Sequence, residues 1–268
     1  MAIWVTGDIH GDYDIHKLST RRWPEGRALS KSDYLVILGD FGLFWDPSMP
    51  RRDTWWLDWL EAKPWATLFV DGNHENHDLL AAMPDEAFGG SDAGCCPRWP
   101  SIKHLRRGRV YDIPAGGGAM AGGGEAAGAG GARPRVPGTV RVLAFGGARS
   151  HDIRWRKEGR DWWPNELPGP ADRERAKASL DACGWSVDHV LTHDCPTACK
   201  PFLLSPPGMY GGGDDAERWS NDRLNGYLDE IAGRLDFRGW WFGHYHANAE
   251  GIADGRYNAL YDRIVRIA

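Results

Sequence analysis

Gly7-Asp8-Ile9-His10-Gly11 follows directly on a short apolar run at residues 2–6, and the same construction recurs four more times. Residues 34–38 run into Gly39-Asp40-Phe41-Gly42, and residues 67–70 lead through Asp71 into Gly72-Asn73-His74-Glu75. Residues 187–192 end in Thr192-His193-Asp194, and residues 239–242 in Gly243-His244-Tyr245-His246. Short apolar, β-branched runs closed by polar, glycine-containing turns read as buried strands. Each block therefore sets a metal-binding type of side chain just past the C-terminal end of a strand. Open α/β sheets place their ligand sites there.

Working outward, residues 109–113 and 140–145 read as further strands, and residues 256–268 as one or two final strands joined near Asp262. Helical candidates lie at 54–62, 76–83, 172–182 and 214–235. Strands alternating with helices, followed by more strands, predict an α/β architecture. Residues 115–131 are nearly all Gly and Ala, with Met120 and Glu125 the exceptions. They neither precede Lys-Ser/Thr nor open a helix, so a phosphate-cradling loop is not indicated. A flexible insertion over 115–138 is expected instead, within a single domain spanning 1–268.

With 42% hydrophobic and 26% charged residues in 268, the chain can bury a sizeable core. A net charge of −5 and a pI near 6.1 argue against broad electrostatic binding to nucleic acid. Met1 leads into Ile3-Trp4-Val5 with no basic stretch or cleavage site, and no run approaches the ~18 apolar residues of a membrane span. The expectation is a cytoplasmic protein without membrane association. Five cysteines, an odd number without framework spacing, fit a reducing compartment. Cys195 and Cys199 do not make a CxxC pair. The fifteen tryptophans are read as core and substrate-wall packing rather than as a platform for stacking bases.

Taken singly, the five blocks are weak signals. An Asp-x-His triplet can merely cap a helix, Asn73-His74 can be a turn, and His193 can be a satisfied buried histidine. His244 and His246, two apart on an extended segment, point the same way. Together, oxygen and nitrogen ligands from five strand ends suit Mn, Fe, Zn or similar divalent ions, not Ca or a thiolate-bound metal.

GDIHG, GDFG, GNHE, TH and GHYH, in this order from Asp8 to His246, resemble the calcineurin-like metallophosphoesterase superfamily. GGARSHD at 146–152 and DWWPNE at 161–166 are similar to a bacterial and phage branch of undefined substrate. The resemblance implies a four-layer αββα sandwich of two mixed β-sheets flanked by helices, with the site on one edge. It implies two divalent metal ions, Mn foremost, with Fe, Zn or Mg as alternatives. Asp8, His10 and His246 would hold one, Asn73, His193 and His244 the other, and Asp40 would bridge them. His74 would be catalytic, standing outside the metals beside the leaving-group oxygen. The implied reaction is hydrolysis of a phosphodiester or phosphomonoester by hydroxide held between the metals.

The protein serine/threonine phosphatases of that superfamily continue the second block as GDxVDRG and carry Arg two residues before the Asn of GNHE. Here the second block reads GDFGLFW, and Asp71 stands before Gly72-Asn73. A phosphoprotein substrate is thereby disfavoured, and diesters are slightly preferred. Two alternatives stay open: a non-catalytic binding module keeping the fold, and a nuclease acting on single-stranded nucleic acid, which the arginine-rich stretches 106–109 and 133–141 would permit. Arg149, Arg154 and Arg156 read equally as charge for the site or as a solvated face. His151 reads as structural, and His16, His77, His104 and His189 receive no role.

Overall fold

Along β2 (Tyr34–Leu38) side chains divide with a period of two, Leu35 and Ile37 entering one apolar core, Val36 and Leu38 another. A strand covered on both faces must be apolar throughout, which is why these runs are continuous rather than alternating. The structure is a computed structural model that describes residues 1–116, 132–204 and 222–268.

Among these residues one sheet has seven strands in the order β13-β1-β2-β3-β6-β5-β4. They are β1 (Ile3–Thr6), β2, β3 (Ala66–Val70), β4 (Asp85–Phe88), β5 (Ser91–Cys95), β6 (Ile102–Leu105) and β13 (Ile264–Arg266). The second sheet has six, in the order β11-β12-β10-β9-β8-β7. These are β7 (Arg109–Pro114), β8 (Thr139–Phe145), β9 (His189–Thr192), β10 (Gly239–Phe242), β11 (Ala249–Ile252) and β12 (Tyr257–Ala259). Both sheets are mixed: β1, β2, β3 and β6 run parallel, as do β8, β9, β10 and β12, with antiparallel strands at the margins.

Ile3, Val36 and Leu68 of the first sheet share a core with Ile113, Val142 and Leu191 of the second, so the sheets pack face to face. Outside the first sheet lies α1 (Arg51–Glu61), which contributes Trp56, Leu57 and Leu60. Outside the second lie α3 (Pro170–Ala182) and α4 (Arg223–Ala232), with Leu180, Leu228 and Ile231. The short α2 (His77–Ala82) begins where the Asn76 side chain accepts a hydrogen bond from the Leu79 amide at 3.1 Å. The layers are thus helix, sheet, sheet, helix, as the resemblance implies.

The differences from expectation have physical causes. β4, β5, β6 and β11 were not anticipated; β4 is largely exposed and polar, as sheet edges are, and gives no apolar run. The two final strands belong to different sheets: β12 pairs with β10 and β13 with β1. The helix expected at 214–235 is described only from residue 222, where the Asp222 carboxylate caps the Leu224 and Asn225 amides. Most of the Gly/Ala-rich stretch, 117–131, lies outside the described residues. Residues that follow it are tied down, Arg133 to Asp112 at 2.9 Å and Arg135 to Asp188 at 2.7 Å.

Candidate metal centre and active site

β1, β2, β3, β9 and β10 deliver the five blocks to one edge of the sandwich. Asp40, just beyond β2, lies at the middle. Its Oδ2 is 3.3 Å from His10 Nε2 and its Oδ1 is 3.3 Å from His193 Nε2. Asp8 Oδ1 accepts from the His244 amide at 3.1 Å, while Oδ2 lies 3.2 Å from His246 Nε2. Asn73 Oδ1 is 3.2 Å from His193 Nε2, and the His244 ring stands 5.0 Å from that of His193. All eight residues singled out from the sequence therefore meet here.

The imidazoles are held from behind. His10 Nδ1 is 2.8 Å from Asp14 Oδ2, and His193 Nδ1 donates to the Leu38 carbonyl at 2.7 Å. Fixing Nδ1 this way turns the Nε2 lone pair into the cluster, the arrangement typical of metal-binding histidines. Asn73 is fixed similarly: its amide nitrogen donates to Ser150 Oγ at 3.2 Å, which aims Oδ1 at His193. Ser150 in turn donates Oγ–H to Glu166 at 2.6 Å and its amide N–H at 2.9 Å.

Burial works against charge here, yet the carboxylates win. Asp40 and Asp8 hold His10 up at about 9 and His193 up at about 10 despite burial. Reciprocally, both carboxyls sit below their ordinary values, burial being outweighed by the neighbouring histidines, His193 foremost. The site therefore demands positive charge. Asp8, His10 and His246 bring ligand atoms within 4.8 Å of one another, as do Asp8, Asp40 and His193, and His10, Asp40 and His74. Asp8 Oδ2 is buried and, although His246 Nε2 lies 3.2 Å away, receives no hydrogen bond, a costly state that a cation would relieve. The oxygen and nitrogen donors fit divalent ions of intermediate hardness.

The local backbone is bent to make this possible. His10, Asp40, His244 and His246 have φ of 43°, 46°, 66° and 49°, a region side chains other than Gly seldom adopt. The glycines of the blocks make room for side chains from other blocks. A Cβ on Gly39 would come within 2.0 Å of His193 Nδ1, and one on Gly243 within 2.1 Å of Asp8 Oδ1. Glu75 ties the third block to the second by accepting from the amides of Phe41 at 2.7 Å and Gly42 at 3.1 Å.

His74 stands near Asp40 on one side and an arginine on another. Arg156 Nη2 lies 3.2 Å from both ring nitrogens, and Arg156 Nε donates to Asp152 at 2.6 Å. Burial lowers the His74 pKa, and the Arg156 charge adds to that against the pull of Asp40. Arg154, which is exposed, and Arg156, which is partly buried, both line a cleft over the site, together with His151, whose ring is 5.2 Å from that of His244. Asp71, where the phosphatases carry arginine, faces away into a buried group, bound by Arg107 and 3.1 Å from His104. That gives His104 and His77 structural surroundings.

Asp14, Ser150, Glu166 and Arg156 carry positioning roles that sequence reading did not assign. Only Asp14 had a local signal, four residues after His10. Ser150 and Glu166 fall within the GGARSHD and DWWPNE stretches at 146–152 and 161–166, but nothing in their spacing pairs them with Asn73.

A family model for calcineurin-like phosphoesterase matches residues 1–248, and the chain belongs to that family. No curated protein matches it. Family and Asp/His cluster together make it a metal-dependent phosphoester hydrolase.

Proposed function

We propose that the chain is a manganese-dependent phosphodiesterase with a two-metal centre. The observation that carries this is the position of Asp40, whose two oxygens each face a different histidine at 3.3 Å. A carboxylate set between two groups of donors stands where a residue shared by two cations would stand. In this reading Asp8, His10 and His246 form one half, and Asn73, His193 and His244 the other. Bound divalent ions would supply water acidified towards neutral pH and neutralisation of the phosphoryl oxygens.

The chain's own residues do the rest. Asp14, the Leu38 carbonyl and the Ser150–Glu166 pair keep His10, His193 and Asn73 oriented. His74 stands outside the metals because a guanidinium at 3.2 Å from its ring nitrogens disfavours a second cation there. Arg156 is equally near both ring nitrogens, and whichever nitrogen keeps its N–H would hydrogen-bond the departing oxygen. The diester preference rests on the absence of phosphatase-type arginines, Asp71 being buried against Arg107 instead.

Chelated protein reloaded with Mn should hydrolyse bis(4-nitrophenyl) phosphate with a higher kcat/KM than 4-nitrophenyl phosphate. Turnover of neither would overturn the assignment. A clear monoester preference would overturn its diester half alone.

A further inference from the structure

Among the described residues the two most exposed large apolar side chains are Tyr13, 81% exposed, and Trp155, 78% exposed. Both stand at the metal centre, in different clefts. Trp155 lines a cleft of about 330 Å³ with Arg154, Arg156, His74 and His246. Tyr13 lines one of about 600 Å³ with Trp45, Arg52, His10, His74 and His246. The clefts share His74 and His246. One contains Asn73 and His244, the other His10, so they meet along the line of proposed ligands.

An aromatic ring left in water at the mouth of a site is a surface that a ligand can cover, and covering it gains the burial that water denies. A phosphomonoester has one organic substituent and would occupy one cleft. A phosphodiester has two, one on either side of the phosphorus, and each would find an aromatic ring and an arginine. Arg156 serves the first cleft; at the second stands Arg52, whose side chain is 65% exposed and paired with Asp53 at 3.0 Å, beside Asp12 and Asp14. Both volumes fall in the range of about 300–1,000 Å³ usual for small-molecule sites.

We infer that the substrate is a phosphodiester joining two nucleosides, one base stacking on Trp155 and the other on Tyr13. This rests on the phosphodiesterase reading above. Stacking on a ring face tolerates any base, so the site selects for aromatic groups on both sides, not for a sequence. A net charge of −5 disfavours a long polyanion, whereas a single diester needs only the local arginines. Hydrolysis forms one P–O bond from water and breaks the P–O bond to one nucleoside. The departing oxygen takes up a proton, giving one nucleoside and one nucleotide.

The test is equilibrium dialysis of dithymidine monophosphate against chelated protein, which binds without turnover, followed by steady-state assay after Mn loading. Trp155→Ala and Tyr13→Ala should each raise Kd and KM about tenfold, the scale of one base–aromatic stack. Trp155→Phe and Tyr13→Phe should recover most of that affinity, which a folding defect would not. Unchanged affinity in either alanine variant overturns the two-sided substrate. Failure of the phosphodiesterase reading shows separately, as parent protein that binds the dinucleotide but cleaves no diester.

Discussion

Residues in the left-handed region cost of order 1–3 kcal/mol each, and His10, Asp40, His244 and His246 all sit there. A fold keeps such strain where function needs it. At His246, half exposed, removal of the side chain separates strain from packing. His246→Gly should be more stable than His246→Ala by about 1 kcal/mol, because only glycine adopts φ near 49° without penalty. Paired thermal melts of metal-free protein measure this; an Ala variant as stable as Gly would contradict it. His74→Asn should lower kcat by about 10²–10⁴-fold while metal content stays at the parent value, as expected for a group that assists the leaving oxygen. A loss of metal would make His74 a ligand instead. The ligand-type residues were legible in the sequence because few side chains can hold a cation and each closes a short apolar run. Arg156 was legible only as one of three arginines that read equally as charge for the site or as a solvated face, since its contact with His74 joins positions 82 apart.

Elements covered on both faces were the ones the sequence displayed. β2 and β10 were expected with the bounds they have, because a strand between two cores is a continuous apolar run. β4 and β11 are mostly not buried and leave no such trace. The same reasoning explains the positioning loops. Ser150 and Glu166 come from segments after β8 and before α3, and their role exists only once both reach Asn73. Ser150→Ala leaves the Glu166 carboxylate without its hydroxyl donor and should cost about 1–3 kcal/mol. It should also weaken metal affinity about 10–100-fold, since Asn73 loses its anchor. Chemical denaturation and metal titration read the two effects; an unchanged affinity would remove Ser150 from the support of the site.

At the level of the whole molecule, stability should fall in acid through the buried group around Asp71. His77 faces Arg107 at 3.5 Å, Asp71 at 3.8 Å, and His104 across that carboxylate. Burial, reinforced by Arg107, holds its pKa down at about 3, against about 6.5 in an unfolded chain. The folded form stays neutral while the unfolded form gains a proton, so His77's contribution is complete above about pH 6.5 and drains away as pH falls. His77→Gln should show a shallower decline of Tm between pH 6.5 and 4 than the parent; parallel slopes would contradict this. The central claim is the two-metal centre built on Asp40, and elemental analysis of chelated, Mn-reloaded and desalted protein tests it most directly. About two metal ions per chain are expected in the parent and fewer than two in Asp40→Asn. One ion or none in the parent, or two in both proteins, would contradict it.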